Sequence, residues 1–174
     1  MITSIIKFIG DYSYLILYFG SLIFFWSKPN LYFYYNVGFF VCFLVNTFIK
    51  GIVQAPRPMD DPKKFALLIE NSKPFFFKDG IPFNIFGMPS GHTQLNAFSV
   101  TFVGLAGRNM QITLIYAGLF LLAVSNRYIY LYHTPFQILV GAILGFFLGI
   151  YFFHMAEKGI MGKITEKLDD YGPL

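Results

Sequence analysis

The sequence predicts an all-α fold, a polytopic helical membrane bundle of about five transmembrane helices with one long polar loop. Hydrophobic residues make up 56% of the 174 residues, charged residues make up only 13%, and the mean hydropathy is +0.57, values outside the range of soluble domains. The apolar residues also fall into separate runs, most of them within the roughly 17 to 25 residues that cross a bilayer. We therefore expect an integral, multi-pass membrane protein in which residues 1–174 form one domain.

Five apolar runs are the predicted spans, and turn-forming or polar residues separate them. They cover about residues 8–26, 31–49, 90–107, 112–128 and 135–154. The first is expected to stay in place as a span, because no signal-type cleavage site follows it. In the second, Asn36 and Asn46 are predicted to hydrogen-bond to neighbouring helices. In the fifth, small residues recur at spacings of three and four and predict close helix packing: Gly141, Ala142, Gly145 and Gly149.

The segment 50–89 is the only long polar loop, and it is rich in proline and in acidic residues. Long loops in compact proteins are usually functional. Asp61 and Pro62 are predicted to begin a short helix that places Phe65, Leu68 and Ile69 on one face, and residues 73–78 enclose three phenylalanines between two lysines. Two interpretations stay open: an interfacial lid over a site, or a loop packed over the bundle without a gating role.

Five crossings place the two termini on opposite faces of the membrane and gather the polar candidate residues on one face. Lys50, Arg57, the turn 87–92, Arg127 and His133 all lie at span ends on the amino-terminal face. Lys158, Lys163 and Lys167 follow the last span, and positive charges of this kind favour a cytoplasmic tail. The shared polar face is then the non-cytoplasmic one.

The candidate site residues come from three short segments. These are Lys50 with Arg57, the run Ser90-Gly91-His92, and Arg127 with His133. His92 is predicted to lie in the first turn of a helix, where unpaired backbone N–H groups and the positive end of the helix dipole form an anion site. Each residue alone would more often be structural or contact lipid headgroups. Their placement on one face favours a centre that handles phosphate.

Phosphoryl transfer needs the groups that this set provides. Arginines hold phosphate oxygens in a bidentate fork, lysine adds a charge, and backbone amides bind a further oxygen. One imidazole can attack phosphorus while the other protonates the departing oxygen. The scheme requires no metal and no other cofactor. A metal site is disfavoured, because the chain has three histidines, His154 lies at the opposite face, and no carboxylate cluster accompanies the other two.

The expected partners are the lipid bilayer and a lipid phosphate or diphosphate. A formal charge of +4 does not indicate nucleic acid, because the 13 basic residues are scattered and form no basic face with interleaved aromatic residues. An anionic lipid headgroup suits few, separated cations better. The oligomeric state is not predicted.

The three segments resemble the signature motifs of the type 2 phosphatidic acid phosphatase superfamily. The matching patterns are Lys-x6-Arg-Pro at 50–58, Pro-Ser-Gly-His at 89–92 and Arg-x5-His at 127–133. The resemblance implies a metal-independent lipid phosphatase with a phosphohistidine intermediate. It also implies that His133 is the nucleophile, that His92 is the acid for the leaving group, and that the phosphate is bound by Lys50, Arg57, Ser90, Gly91 and Arg127.

Two positions depart from the family pattern. Asn126 stands where the family usually has serine, and Gln137 stands where it usually has an aspartate that orients the nucleophilic imidazole. Glutamine can still accept a hydrogen bond but adds no charge. Thr134 to Gln137 also reads as a helix capping box with proline at the first position. The orienting and capping interpretations of Gln137 are compatible, and both stay open.

A narrower resemblance indicates a substrate class. The segment 87–94, together with Tyr132-His133-Thr134, Gln137 and Gly141, is similar to the dolichyl diphosphate phosphatases, in which glutamine at this position is expected. This implies removal of the terminal phosphate of a polyprenyl, dolichyl-type diphosphate, in the endoplasmic reticulum membrane of a eukaryote or otherwise in the plasma membrane. The alternatives are a broader phosphatase of phosphatidic acid and other lipid phosphates, and an inactive membrane protein that binds lipid phosphate.

Overall fold

The computed structural model describes residues 2–70, 81–107 and 109–158, and in these ranges all regular structure is helical. The helices in chain order are α1 (Ile2–Phe25), α2 (Pro29–Val53), α3 (Pro62–Glu70), α4 (Pro82–Ile85), α5 (Gly91–Gly107), α6 (Met110–Ile129) and α7 (Pro135–Glu157). The prediction of an all-α helical bundle is confirmed. The segment 73–78 and most of the charged tail lie outside the described residues.

Four of the described helices, α1, α2, α6 and α7, are long and apolar enough to cross a membrane. The helix α5, at 17 residues, is shorter and corresponds to the third predicted span. It lies at the centre of the bundle, packed against all four of the others, and most of its residues up to Val103 are buried. Because its polar side chains bond to neighbouring helices and not to lipid, this helix can be both central and the more polar one.

The observed helices begin and end within six residues of the predicted spans, and mostly extend beyond them. Proline occupies the first turn of both α2 and α7, where its missing N–H costs nothing. At the carboxyl end of α2, Gln54 adopts a left-handed conformation with φ of 47° and donates its N–H to the carbonyl of Lys50. The turn ends the helix there and leaves Lys50 in its last turn.

Amide side chains join the helices, as predicted for Asn36 and Asn46. Asn36 Oδ1 accepts a hydrogen bond of 2.7 Å from the Tyr18 hydroxyl of α1. Asn46 Nδ2 donates at 2.6 Å to Gln94 Oε1 of α5. These bonds fix the rotation of α1, α2 and α5 about their axes, and this rotation decides which residues of each helix face the polar end of the bundle.

The helices α5 and α7 approach each other at their backbones, as the small residues of α7 predict. A Cβ placed on Gly141 would lie 2.5 Å from the Ser90 carbonyl oxygen, and one on Gly145 would collide with the Gln94 carbonyl oxygen. Only glycine permits this distance. The close packing holds the first turn of α5 against the first turn of α7.

We expect Gly141→Ala to lower the melting temperature of the protein in detergent, because the new methyl group meets a backbone carbonyl that cannot move without shifting the start of α5. Overpacking of this kind costs about 1–3 kcal/mol. The matched control is Gly118→Ala in α6, where no heavy atom lies within 4 Å of the added Cβ and alanine is the better helix former. Equal melting temperatures for the two variants would contradict the packing argument.

The polar loop contains the predicted short helix, which begins at Pro62 as expected. Asp61 Oδ1 accepts hydrogen bonds from the backbone N–H groups of Lys63, at 2.9 Å, and Lys64, at 3.3 Å, and so caps α3. Phe65 contacts Phe86 edge to face, with ring centroids 6.0 Å apart. The helix α3 thus lies beside the residue that follows α4, although none of the α3 residues is buried.

Candidate active site

Six of the sequence-predicted site residues line one cavity of about 150 Å³ at one end of the bundle. The lining residues are Lys50, Arg57, Phe83, Asn84, Gly91, His92, Arg127 and His133. They come from the end of α2, the loop after it, α4, the start of α5, the end of α6 and the α6–α7 connection. The tertiary structure thus brings together three sequence segments that are as much as 83 residues apart, counted from 50 to 133.

Two of the cations are held by backbone carbonyls of α4. Lys50, which is 1% exposed, donates from Nζ to the Phe83 carbonyl oxygen at 2.7 Å. Arg57 donates from Nη2 to the Asn84 carbonyl oxygen at 2.6 Å, and its backbone N–H bonds to Asp60 Oδ2 at 2.6 Å. Burial lowers the pKa of Arg57 from its usual value, and the nearby Asp60 carboxylate opposes this shift. These hydrogen bonds hold both side chains at the wall of the cavity.

The third cation, Arg127, lies in the last turn of α6. Its Nη2 atom pairs with the Asp11 carboxylate of α1 and bonds to Asn126 Oδ1 at 3.0 Å. The Tyr132 ring covers the guanidinium, with its centroid 4.5 Å from Cζ. Asn126, one of the two departures from the family pattern, thus contacts a site residue directly.

The electrostatics of the cavity suit an anion. Lys50, Arg57 and Arg127 all reach it, and the Nε atoms of both arginines are buried N–H donors for which residues 2–70, 81–107 and 109–158 provide no acceptor. A buried donor without an acceptor costs roughly 1–3 kcal/mol. A phosphate group would supply both the negative charge and the acceptor oxygens.

The hydrogen bonds of His133 define which ring nitrogen carries the proton. Nδ1 lies 2.9 Å from the Gly87 carbonyl oxygen and 3.3 Å from Gln137 Oε1. Since both oxygens can only accept, Nδ1 must donate, and the neutral ring keeps its lone pair on Nε2. Burial, with the charges of Lys50 and Arg57, lowers the pKa of His133 to about 3, although the bonds to Gln137 and Gly87 oppose the shift. The imidazole of His133 in this cavity is therefore neutral at pH 7.

This pKa has a testable consequence for pH dependence. The folded-state pKa of His133 lies below the usual 6.5, so the imidazole of the folded protein stays neutral as pH falls from 6.5 towards 3. In the unfolded chain the same imidazole takes up a proton over this range, so the folded protein loses stability relative to the unfolded chain in that window. We expect its ring signal, assigned with a His133→Asn variant in a nuclear magnetic resonance titration, to show no protonation midpoint near 6.5. Inorganic phosphate should move the midpoint upward by offsetting the two cations. A midpoint near 6.5 without phosphate would contradict the assignment.

Gln137 makes the contacts of both interpretations at once. Gln137 Oε1 accepts a hydrogen bond from the Thr134 backbone N–H at 3.1 Å. The Gln137 backbone N–H donates to Thr134 Oγ1 at 3.2 Å, and the two bonds together form the capping box. The same Oε1 lies beside His133 Nδ1, while Nε2 donates to the Pro56 carbonyl oxygen at 2.8 Å. One neutral amide therefore links the start of α7, the histidine and the loop after α2.

His92 and Ser90 occupy different positions at the start of α5. His92 is the second residue of the helix, in the first turn as predicted, and its ring lines the cavity and meets the Tyr14 ring at 4.7 Å between centroids. Ser90 is fully buried behind the cavity wall, where its Oγ lies 2.9 Å from Thr93 Oγ1 and its N–H donates to the Gln137 carbonyl oxygen. Of the predicted phosphate ligands, Ser90 is the one whose side chain does not line the cavity in the described part of the chain.

Four residues near the site were missed by sequence reasoning. Phe83 and Asn84 contribute backbone carbonyls, for which no side-chain pattern exists. Tyr14 and Asp11 come from α1. Asp11 did carry a signal, because a carboxylate in an apolar span needs a partner. That partner is Arg127 and not Lys7, which lies four residues before Asp11 and whose Nζ is 4.7 Å from the Tyr130 ring centroid.

Comparison with known families places the site in context. The model of the PAP2 superfamily matches residues 31–160, which are 130 of the 174 residues and include every predicted site residue. No curated protein and no solved structure matched the chain. The superfamily match and the apolar helices indicate a membrane phosphatase that acts on lipid-like phosphates. The chain belongs to the PAP2 superfamily.

Proposed function

We propose that the protein removes the terminal phosphate of a polyprenyl, dolichyl-type diphosphate, leaving the monophosphate, through a phosphohistidine on His133 and without a metal ion. The observation that carries the proposal is the single cavity lined by two histidines, two arginines and a lysine. The lipid would be reached from the bilayer, with the headgroup at the non-cytoplasmic face of the endoplasmic reticulum or plasma membrane.

The first step is attack by Nε2 of His133 on the terminal phosphorus. The new N–P bond forms as the P–O bond to the lipid monophosphate breaks, and His92 supplies a proton to the departing oxygen. Negative charge on the bound diphosphate favours the protonated form of His92 before this step. Lys50, Arg57 and Arg127 stabilise the charge on the transferring group, while the Gly91 N–H, in the first turn of α5, is the proposed backbone donor.

The second step returns the enzyme to its starting state. His92, now neutral, takes a proton from a water molecule that attacks phosphorus, the N–P bond breaks, and inorganic phosphate leaves. Throughout both steps Gln137 and the Gly87 carbonyl hold Nδ1–H, which keeps Nε2 directed at the cavity. Gln137 provides no negative charge for the imidazole, so this support is by hydrogen bonding alone.

The test is phosphate release by the purified protein in detergent, with a chelator present, from a polyprenyl diphosphate and from phosphatidic acid at equal mole fractions. We expect faster release from the diphosphate and no effect of the chelator. Faster release from phosphatidic acid would instead favour the broader lipid phosphatase. Loss of activity with chelator would overturn the metal-free mechanism, and binding of both lipids without release would indicate an inactive lipid-phosphate binder.

A further inference from the structure

The helix α1 brings one carboxylate to the cationic end of the bundle. Asp11 pairs with Nη2 of Arg127, and the side chains are 30% and 7% exposed, respectively. Asp11 lies in a helix that is otherwise mostly apolar, where an ionised side chain is costly and requires a partner. Arg127 is that partner, and the carboxylate in turn affects the position of the arginine.

The contacts of Arg127 restrict its guanidinium to one orientation. Nη2 donates to both Asp11 Oδ1 and Asn126 Oδ1, so each of its two hydrogens has its own acceptor. The Tyr132 ring covers one face of the guanidinium. Nε remains a buried donor without an acceptor among the described residues. A guanidinium held on one edge and one face can present its remaining N–H groups only in a defined direction.

Both arginines of the cavity donate from Nη2 to an oxygen of another part of the chain. Arg57 donates to the Asn84 carbonyl oxygen, and Arg127 donates to the Asp11 carboxylate. Without Asp11, Arg127 would keep its charge beside two other cations in a largely buried cavity, and mutual repulsion would favour its rotation outwards. The carboxylate offsets this repulsion.

We propose that Asp11 is a positioning residue, which sets the orientation of Arg127 for binding the substrate phosphate. The inference rests on the proposed function of this cavity. It assigns to α1, which precedes the residues of the PAP2 superfamily match, a role in the chemistry and not only in packing.

Packing between α1 and α6 does not depend on Asp11 alone. Asn126 Nδ2 donates to the Lys7 carbonyl oxygen at 3.0 Å, and the Ser21 and Tyr116 hydroxyls lie 3.1 Å apart. Because these contacts remain when the carboxylate is replaced by an amide, we expect Asp11→Asn to fold. Melting temperature and gel filtration in detergent check this directly.

The experiment is a double-mutant cycle with Asp11→Asn and Arg127→Lys, measuring kcat and KM for the polyprenyl diphosphate and the inhibition constant of inorganic phosphate. We expect Asp11→Asn to lower kcat/KM and phosphate affinity by about 10-fold or more in the parent protein. In the Arg127→Lys background the same change should cost less than about 2-fold, because the oriented fork is already lost. Asp11→Glu should recover part of the loss, and Glu157→Gln, which removes an exposed carboxylate at the other end of α7, should change neither quantity.

Equal losses from Asp11→Asn in both backgrounds would overturn the positioning role and leave a structural one, and so would an unchanged kcat/KM. If Asp11→Asn does not fold, the cycle is run with Asp11→Glu, for which the same coupling is expected. If the parent protein hydrolyses no lipid diphosphate, the proposed function fails, whereas calorimetric binding of inorganic phosphate to the parent and to Asp11→Asn still decides the role of Asp11.

Discussion

Replacing His133 by asparagine is expected to lower turnover of the lipid diphosphate by about 10⁴-fold or more, because the Nε2 atom proposed to form the N–P bond is then missing. Asparagine is the most specific substitution at this position. Its amide can place a donor where Nδ1 lies, so the bond to the Gly87 carbonyl can survive while Nε2, the proposed nucleophile, is lost. The cavity should therefore remain able to bind inorganic phosphate.

Two measurements check this expectation. The first is phosphate release in detergent, and the second is protein-bound label after acid-free quenching, with a substrate labelled in its terminal phosphate. The matched control is His154→Asn, the same substitution at an exposed histidine near the end of α7. Labelled protein in the His133 variant, or turnover within about 10-fold of the parent, would show that the nucleophile lies elsewhere.

Replacing His92 by glutamine should lower turnover of the lipid diphosphate by about 10² to 10⁴-fold, the range of general acid–base catalysis. The reason is that the departing phosphate oxygen then leaves without a proton. His92 reaches the cavity from the first turn of α5, and its ring packs against Tyr14, so glutamine is expected to occupy the position without disturbing the helix.

The leaving group distinguishes an acid from a residue that only binds phosphate. With p-nitrophenyl phosphate, whose leaving group needs no protonation, the first step of His92→Gln should be nearly as fast as in the parent. The second step still needs a base, so a burst of one nitrophenolate per enzyme should precede slow turnover. An equal loss with both substrates and no burst would exclude the proposed role of His92.

Much of the fold could be predicted from the amino-acid pattern, because the bilayer imposes one length and one composition on each span. The helix boundaries, the short helix at Pro62 and the interhelical bonds of Asn36 and Asn46 are examples. The central position of α5 could not be predicted from hydropathy. Polar residues such as Gln94 and Asn96 lower its apolar character, and only the packed structure shows that their partners are other helices.

The candidate site divides in a similar way. Its charged and histidine residues stand in recognisable spacings, and five of them line the cavity, because the identity of each side chain can be read directly from the sequence. The carbonyls of Phe83, Asn84 and Gly87 could not be predicted, since every residue has one and only the path of the chain decides where it points. The buried position of Ser90 depends on the close contact of α5 with Gly141.

By itself, the sequence determined that this protein is a helical membrane bundle and which side chains could handle phosphate, because span length, hydropathy and motif spacing are local properties. Only the tertiary structure decided which nitrogen of His133 carries the proton, which carboxylate pairs with Arg127, and that Gln137 both caps α7 and contacts the histidine. These features depend on distances between residues far apart in the chain. Such distances follow from helix packing, in which glycines at 141 and 145 let two backbones touch.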